Sequence, residues 1–284
     1  MHYTTLIDPP GLGYLLGQQG IAIVDCRFDL AASNAGREAY LRAHIPRAVF
    51  ADLNQDLSVP PGRDSGRHPL PGKAQFAALL GALGIDRAAQ VFAYDQASGA
   101  FAARFWWMLR WLGHARVAVL DGGFDAWLAQ GGNVEAGAHR AAPRHFEFQG
   151  EGQRPVTSQE VQAAIARRDR LIVDARSAER YSGQVEPLDT VAGHIPGAVN
   201  APFAGNLGAA GKFLPVPELR RRWLQILGGT PPQELIAMCG SGVTACHNLL
   251  ALEVAGLPGA SLYAGSWSEW IRDPARPVAT GSTP

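Results

Sequence analysis

The sequence predicts an α/β protein of two tandem domains with one fold, each a mostly parallel sheet flanked by helices. Three observations support this. The 284 residues suit roughly two domains of ordinary size. Short apolar β-type runs alternate with helical ones along the whole chain, the pattern of a largely parallel sheet. The same landmarks also occur twice in the same order. Val24-Asp25-Cys26-Arg27 answers to Val173-Asp174-Ala175-Arg176, and His44-Ile45-Pro46-Arg47-Ala48-Val49 to His194-Ile195-Pro196-Gly197-Ala198-Val199. Val91-Phe92-Ala93-Tyr94-Asp95 answers to Leu235-Ile236-Ala237-Met238-Cys239, and Gly122-Gly123-Phe124-Asp125-Ala126-Trp127 to Gly265-Ser266-Trp267-Ser268-Glu269-Trp270.

In the first half, apolar runs place strands near 21–25, 48–51, 90–94 and 116–120, and helical spacing places helices near 73–83, 99–112 and 123–130. The second half repeats this with strands near 171–174, 197–200, 234–238 and 260–263, and helices near 158–167, 216–227, 243–255 and 267–271. A polar stretch containing Gly and Pro reads as a linker over 138–155, between an N-terminal domain over 1–137 and a C-terminal domain over 156–284. Trp106, Trp107, Trp111 and Trp127, at helical spacings, are expected in the core.

Hydrophobic residues make up 47% of the chain and charged residues 18%, the balance of a soluble globular protein. The formal net charge is zero, so nothing in it argues for nucleic acid or a membrane surface as a partner. Cys26, Cys239 and Cys246 are too sparse for a disulfide framework. With no signal-peptide pattern after Met1 and no apolar run near the roughly 18 residues of a membrane span, a cytoplasmic location is expected. Cys239, Cys246 and His247 lie on one predicted segment, which cannot supply four metal ligands, and no CxxC pair is present. Neither a metal nor another cofactor is expected.

The chemistry concentrates at Cys239. Leu235-Ile236-Ala237-Met238 reads as a buried strand preceded by the turn-prone Gly228-Gly229-Thr230-Pro231-Pro232, so Cys239 stands at its carboxyl end. Gly240, Ser241 and Gly242 follow, and glycines allow backbone angles that turn successive N–H groups toward the sulfur. From about Val243 a helix begins, its positive end facing the loop. Such a cradle favours the nucleophilic thiolate. Phosphoryl transfer would need a guanidinium closing the loop, and residues 240–248 contain neither Arg nor Lys. A cysteine protease needs a histidine base in reach, and no histidine here carries a recognisable protease context. Sulfur transfer asks least of the site: a thiolate, an anion cradle and groups that bind a donor. At the equivalent position the first half has Asp95, which cannot carry a persulfide, so the N-terminal domain is expected to be catalytically silent. His44 and His194 recur in both halves although only one has the cysteine, which points to a structural role. Asp25, Asp174, Arg27, Arg176 and Arg104 are expected to stabilise the fold.

Two halves each with Asp-x-Arg and His-Ile-Pro-x-Ala elements, together with Cys239-Gly240-Ser241-Gly242-Val243-Thr244-Ala245, resemble the two-domain rhodanese-type sulfurtransferases over nearly the whole chain. Thiosulfate-using members typically place Arg and Lys after the cysteine, whereas mercaptopyruvate-using members carry Gly-Ser-Gly, as at Gly240–Gly242 here. The resemblance implies two rhodanese-like domains and a small-molecule sulfur donor, 3-mercaptopyruvate first and thiosulfate second. It also implies a Cys239 persulfide and a thiol, dithiol or cyanide acceptor. A sulfur-relay or binding protein that hands the persulfide to a partner protein is the alternative from another class. The family's carboxylate-binding arginine maps to Arg180, and donor contacts are implied for Gly240, Gly242, Val243 and Thr244. A second substrate arginine of the family is replaced by Leu188. The serine and histidine of a proposed Ser-His-Asp relay map to Ser241 and His68, while its aspartate position falls on Asn54, two residues after Asp52.

Overall fold

The computed structural model describes residues 2–148 and 152–283, so residues 149–151 of the expected linker lie outside the described residues. In chain order the elements of the first half are β1 (Leu6–Ile7), α1 (Pro9–Leu15), β2 (Ile21–Asp25), α2 (Ala35–Arg42) and β3 (Val49–Phe50). They continue with α3 (Lys73–Ala82), β4 (Gln90–Tyr94), α4 (Ala102–Trp111), β5 (Val117–Leu120) and α5 (Gly123–Ala129). The second half runs α6 (Ser158–Arg167), β6 (Leu171–Asp174), α7 (Ala178–Ser182), β7 (Val199–Asn200) and α8 (Val216–Leu227). It ends with β8 (Leu235–Met238), α9 (Thr244–Val254), β9 (Ser261–Leu262) and α10 (Ser266–Trp270).

The chain forms two compact units. The first comprises Met1–Val59, Leu70–Gln153 and Gly208–Phe213, and the second Pro60–Pro69, Arg154–Leu207 and Leu214–Pro284. Each unit holds one parallel sheet, with strand order β1-β5-β4-β2-β3 in the first and β7-β6-β8-β9 in the second. Every residue of β4 and of β8 is buried. Successive side chains leave a strand on opposite faces, so both faces of these strands are covered, and such strands read as unbroken apolar runs. The repeat seen in sequence is also a repeat of register, for Val24 pairs with Ala93 and Val173 with Ala237.

Topology places the chemistry. From β6 the chain passes to β7 on one side, and from β8 to β9 on the other. β6 and β8 therefore flank a switch point, where open α/β sheets leave a crevice beyond their carboxyl ends. Cys239 directly follows β8. α9, which comes next, is apolar around most of its circumference and buried from Ala245 to Leu252, as befits a helix enclosed by its unit.

The paired Asp and Arg residues act as internal braces in both units. Arg27 grips the Asp25 carboxylate through Nε and Nη2 and also donates to the Ala43 carbonyl. Arg176 grips Asp174 in the same way and donates to the Gly193 carbonyl. His44 Nδ1 donates to the Tyr40 carbonyl at 2.8 Å and His194 Nδ1 to the Tyr181 carbonyl at 2.9 Å, each ring stacked on that tyrosine. The same bonds in both units make these residues architectural. The four tryptophans expected in the core are buried there.

Among the described α-helices and strands, β1, α1, α2 and α7 lie outside the sequence-predicted set. In α1, Pro9, Pro10, Gly11 and Gly13 hide helical periodicity, and the helix is started by Asp8, whose carboxylate accepts the Gly11 N–H at 2.9 Å. α2 buries only Gly36 and Tyr40, too little apolar surface to leave a pattern. α7 has five residues and β1 two, both shorter than one period of any useful signal.

Candidate active site

Cys239 is 2% exposed and its backbone is clamped on both sides. Its N–H donates to Ser266 Oγ at 3.0 Å, its carbonyl accepts from the Trp267 N–H at 3.0 Å, and the Gly240 carbonyl accepts from the Ser268 N–H at 2.9 Å. The turn that opens α10 thus holds the loop. Beyond Cys239 the chain reverses at Gly242, whose φ is +76° and where a Cβ would lie 2.2 Å from the Ala264 carbonyl oxygen. Only glycine fits there. The reversal brings the Gly242 N–H to 3.2 Å from Cys239 Sγ, a donor that favours negative charge on sulfur. α9 starts at Thr244, with Val243 as a cap that makes no side-chain hydrogen bond. Its positive end adjoins the loop. Val243 is buried and Thr244 half-buried. Cys246 is buried, its thiol donating to the Gly242 carbonyl at 3.3 Å.

Ser241 and His68 come together. Ser241 Oγ and His68 Nδ1 are 2.8 Å apart, and both residues are buried. The Asp52 carboxylate is used by its own turn, accepting the N–H groups of Asn54 and Gln55, and Asn54 is exposed.

Arg180, on α7, is half-buried and heavily paired. Its Nε and Nη2 fork onto both Glu186 oxygens at 2.8–3.2 Å, and Nη2 also reaches Asp189 Oδ2 at 3.2 Å. Burial, the largest influence on Glu186, pushes its carboxyl upward. Hydrogen bonds from Arg180 and from the Leu188 and Asp189 N–H groups outweigh it and hold the carboxyl below the ordinary glutamate range. Leu188, at the position of the family's second arginine, is 44% exposed.

Sequence reasoning did not single out Arg67. Its Nη1 pairs with Asp189 Oδ1, and its Nη2 lies 2.8 Å from where a Cβ on Gly240 would stand. Arg180 Nη1 and Nη2 lie 3.4 and 3.5 Å from that point. Two guanidinium groups therefore stand over the first residue of the Cys239 loop. The only sequence signal for Arg67 was its adjacency to His68.

In the first unit, the loop after β4 is built on Asp95. The buried carboxylate accepts N–H groups from Gly99 at 2.8 Å, Phe101 at 2.8 Å and Ala102 at 3.3 Å. Burial raises its pKa above the usual carboxylate range against the lowering effect of these donors. The inward N–H groups are occupied by a side chain of the loop itself. Among the described residues no group of three or more His, Cys, Asp or Glu is placed to hold a metal ion, and no helix is long and apolar enough to cross a membrane.

The sequence matches the family described as Rhodanese-like domain twice, over residues 12–130 and 157–273. It is 47% identical over 283 residues to a probable 3-mercaptopyruvate sulfurtransferase of Pseudomonas aeruginosa, covering 99% of this chain and 100% of that one. It is 38% identical over 277 residues to a putative thiosulfate sulfurtransferase of Mycobacterium tuberculosis, covering 95% and 94%. Among solved structures, a 3-mercaptopyruvate sulfurtransferase from Leishmania major is similar with a TM-score of 0.82 at 34% identity, over 94% of this chain and 74% of that one. Two matching segments, a full-length relative and a shared fold lead to one assignment: the chain belongs to the rhodanese-like domain family and carries two such domains.

Proposed function

We propose that this protein is a sulfurtransferase that moves sulfane sulfur from 3-mercaptopyruvate to a thiol, dithiol or cyanide acceptor through a persulfide on Cys239. The observation that carries this reading is the Cys239 loop itself, a thiol at a strand end with the Gly242 N–H aimed at its sulfur and guanidinium groups at its rim. The names of the relatives at 47% and 34% identity support the donor.

The Cys239 thiolate attacks the sulfur of the donor. A new S–S bond forms, the donor's C–S bond breaks, and its electrons leave with pyruvate as the enolate, which takes a proton at carbon. Ser241, a residue of the loop bonded to His68, supplies a route for that proton. Arg180 binds the donor carboxylate, while Gly240, Gly242, Val243 and Thr244 shape the pocket for the small donor. In the second step the acceptor attacks the outer sulfur, the S–S bond breaks, and the Cys239 thiolate returns. The persulfide anion would be stabilised by the same backbone donors as the thiolate.

The N-terminal domain, over 1–137, is catalytically silent at its own loop in this scheme, because the Asp95 carboxylate fills the place where a sulfur would be carried, and its part in the reaction is His68. The linker over 138–155 joins it to the catalytic domain over 156–284. Three free cysteines, Cys26, Cys239 and Cys246, suit a reducing compartment such as the cytoplasm.

The test compares steady-state rates with 3-mercaptopyruvate and thiosulfate, cyanide being the acceptor. A clear preference for mercaptopyruvate is expected. A preference for thiosulfate would overturn the donor assignment. Negligible turnover with both donors, alongside a persulfide that passes to a protein thiol, would make the chain a sulfur relay.

A further inference from the structure

We propose that the first unit holds a binding site for a small polyanion, a molecule carrying two or more phosphate-type groups, in a basic cleft at the amino-terminal edge of its sheet. The site is independent of the sulfurtransferase reading. None of its lining residues belongs to the unit that carries Cys239.

The cleft has a volume of about 650 Å³, within the range that takes a small organic ligand. Gly20, Val49 and Ala89 line it, at or just before the first residues of β2, β3 and β4. The Asp95 loop follows the other end of β4, so cleft and loop occupy opposite edges of one parallel sheet. Arg47, Arg140 and Arg144 also line the cleft, all three exposed, with no Asp or Glu among the described lining residues.

Arg47 is the sharpest observation. It occupies the position that Gly197 holds in the second half, and both have left-handed backbone, with φ of +67° and +81°. Glycine takes this conformation freely, whereas any side chain strains it. Strain of this kind persists where the side chain is needed, and ligand clamps are among the recurring cases. Within the protein only the Arg47 N–H is used, donating to Glu135 Oε2 at 2.9 Å, and the guanidinium has no hydrogen bond or ion pair among the described residues. A strained residue whose charge has no internal partner points to a partner from outside.

The other cations complete the site. The Arg140 guanidinium is likewise unpaired among the described residues, while Arg144 Nη1 pairs with Asp86 Oδ2 at 2.5 Å. Each unpaired guanidinium presents a planar fork that takes two phosphate oxygens. Arg47 precedes β3 and Arg140 lies in the stretch after α5, so the forks come from separate segments and suit a ligand with more than one anionic group.

The walls are fixed without a ligand, which lowers the cost of ordering them on binding. The Tyr40 hydroxyl donates to the Ala48 carbonyl and accepts the His139 N–H, both at 2.9 Å. One side chain thus joins the backbone beside Arg47 to the backbone beside Arg140. The Arg144 N–H donates to the Gly81 carbonyl at 2.8 Å, and a Cβ at Gly84 would lie 2.6 Å from Ala141 Cβ. As far as Arg144, the stretch that reads as a linker in sequence is a wall of the cleft.

The experiment is isothermal titration calorimetry of the full chain with inorganic pyrophosphate in about 0.15 M salt, where attraction between exposed charges is screened beyond about 8 Å. Saturable binding of a single pyrophosphate per chain is expected, with sulfate weaker by about tenfold or more. Arg47→Gly and Arg140→Met should each weaken pyrophosphate binding by about 10- to 100-fold. Arg47→Gly should nevertheless unfold no earlier than wild type, because glycine relieves the strained backbone. The absence of saturable binding, an affinity unchanged in both variants, or equal affinity for sulfate would each overturn the inference. Because the readout is binding alone, each of these results leaves the sulfurtransferase reading standing.

Discussion

His68 Nδ1 lies 2.8 Å from Ser241 Oγ although the two residues are 173 positions apart in sequence. The contact gives the loop hydroxyl a proton partner two residues beyond the nucleophile. Pyruvate enolate must be protonated as it leaves, whereas sulfite leaving from thiosulfate needs no such proton. Ser241→Ala is therefore expected to lower kcat/KM for 3-mercaptopyruvate by about 10²-fold and to affect thiosulfate far less. Parallel kinetics with the two donors check this. Equal losses would show that the pair shapes the loop without moving a proton.

Asp95 holds three N–H groups in the first unit, so its part is to satisfy a loop. Asp95→Ala strands those donors in a buried place and should cost about 1.5–3 kcal/mol or more. Denaturant unfolding would read the loss. Sulfur transfer per folded molecule should stay near wild type. A fall in kcat at full folding would mean that the Asp95 loop takes part in the reaction.

Glu186 makes acid stability part of the site. Its folded-state carboxyl is held below the ordinary range, so its stabilising contribution is present above the unfolded value of about 4.3. That contribution is lost as pH falls through the lower folded value. Glu186→Gln should flatten this part of the acid limb. Near neutrality it should cost about 3 kcal/mol or more, because Arg176 and Arg180 both lose a buried partner. Urea unfolding across the acid range checks both effects. An acid limb identical to wild type would remove Glu186 from the account.

Much of the fold was legible because it is a parallel sheet repeated once. Buried strands such as Leu235–Met238 are unbroken apolar runs, and the matched elements revealed the repeat. What periodicity could not reach were α1, α2 and α7, which are short, polar or interrupted by Pro and Gly. Within the site, Cys239, Gly242 and the Ser241–His68 pair were legible because strand, loop and helix follow one another, and because the family resemblance linked His68 to the loop. Arg67 was not. Its place over Gly240 depends on how a distant segment packs against Gly265 and Ser268, and no local pattern encodes that contact. The pairing of Arg180 with Glu186 and Asp189 was equally hidden, since a sequence shows charges without their partners.

The most direct test of the central claim is intact-protein and peptide mass spectrometry after brief exposure to 3-mercaptopyruvate without acceptor. The peptide carrying Cys239 should gain one sulfur atom that cyanide removes, with no gain in Cys239→Ser, while Cys26 and Cys246 stay unmodified. A sulfur that appears on another cysteine, or turnover that survives in Cys239→Ser, would contradict it.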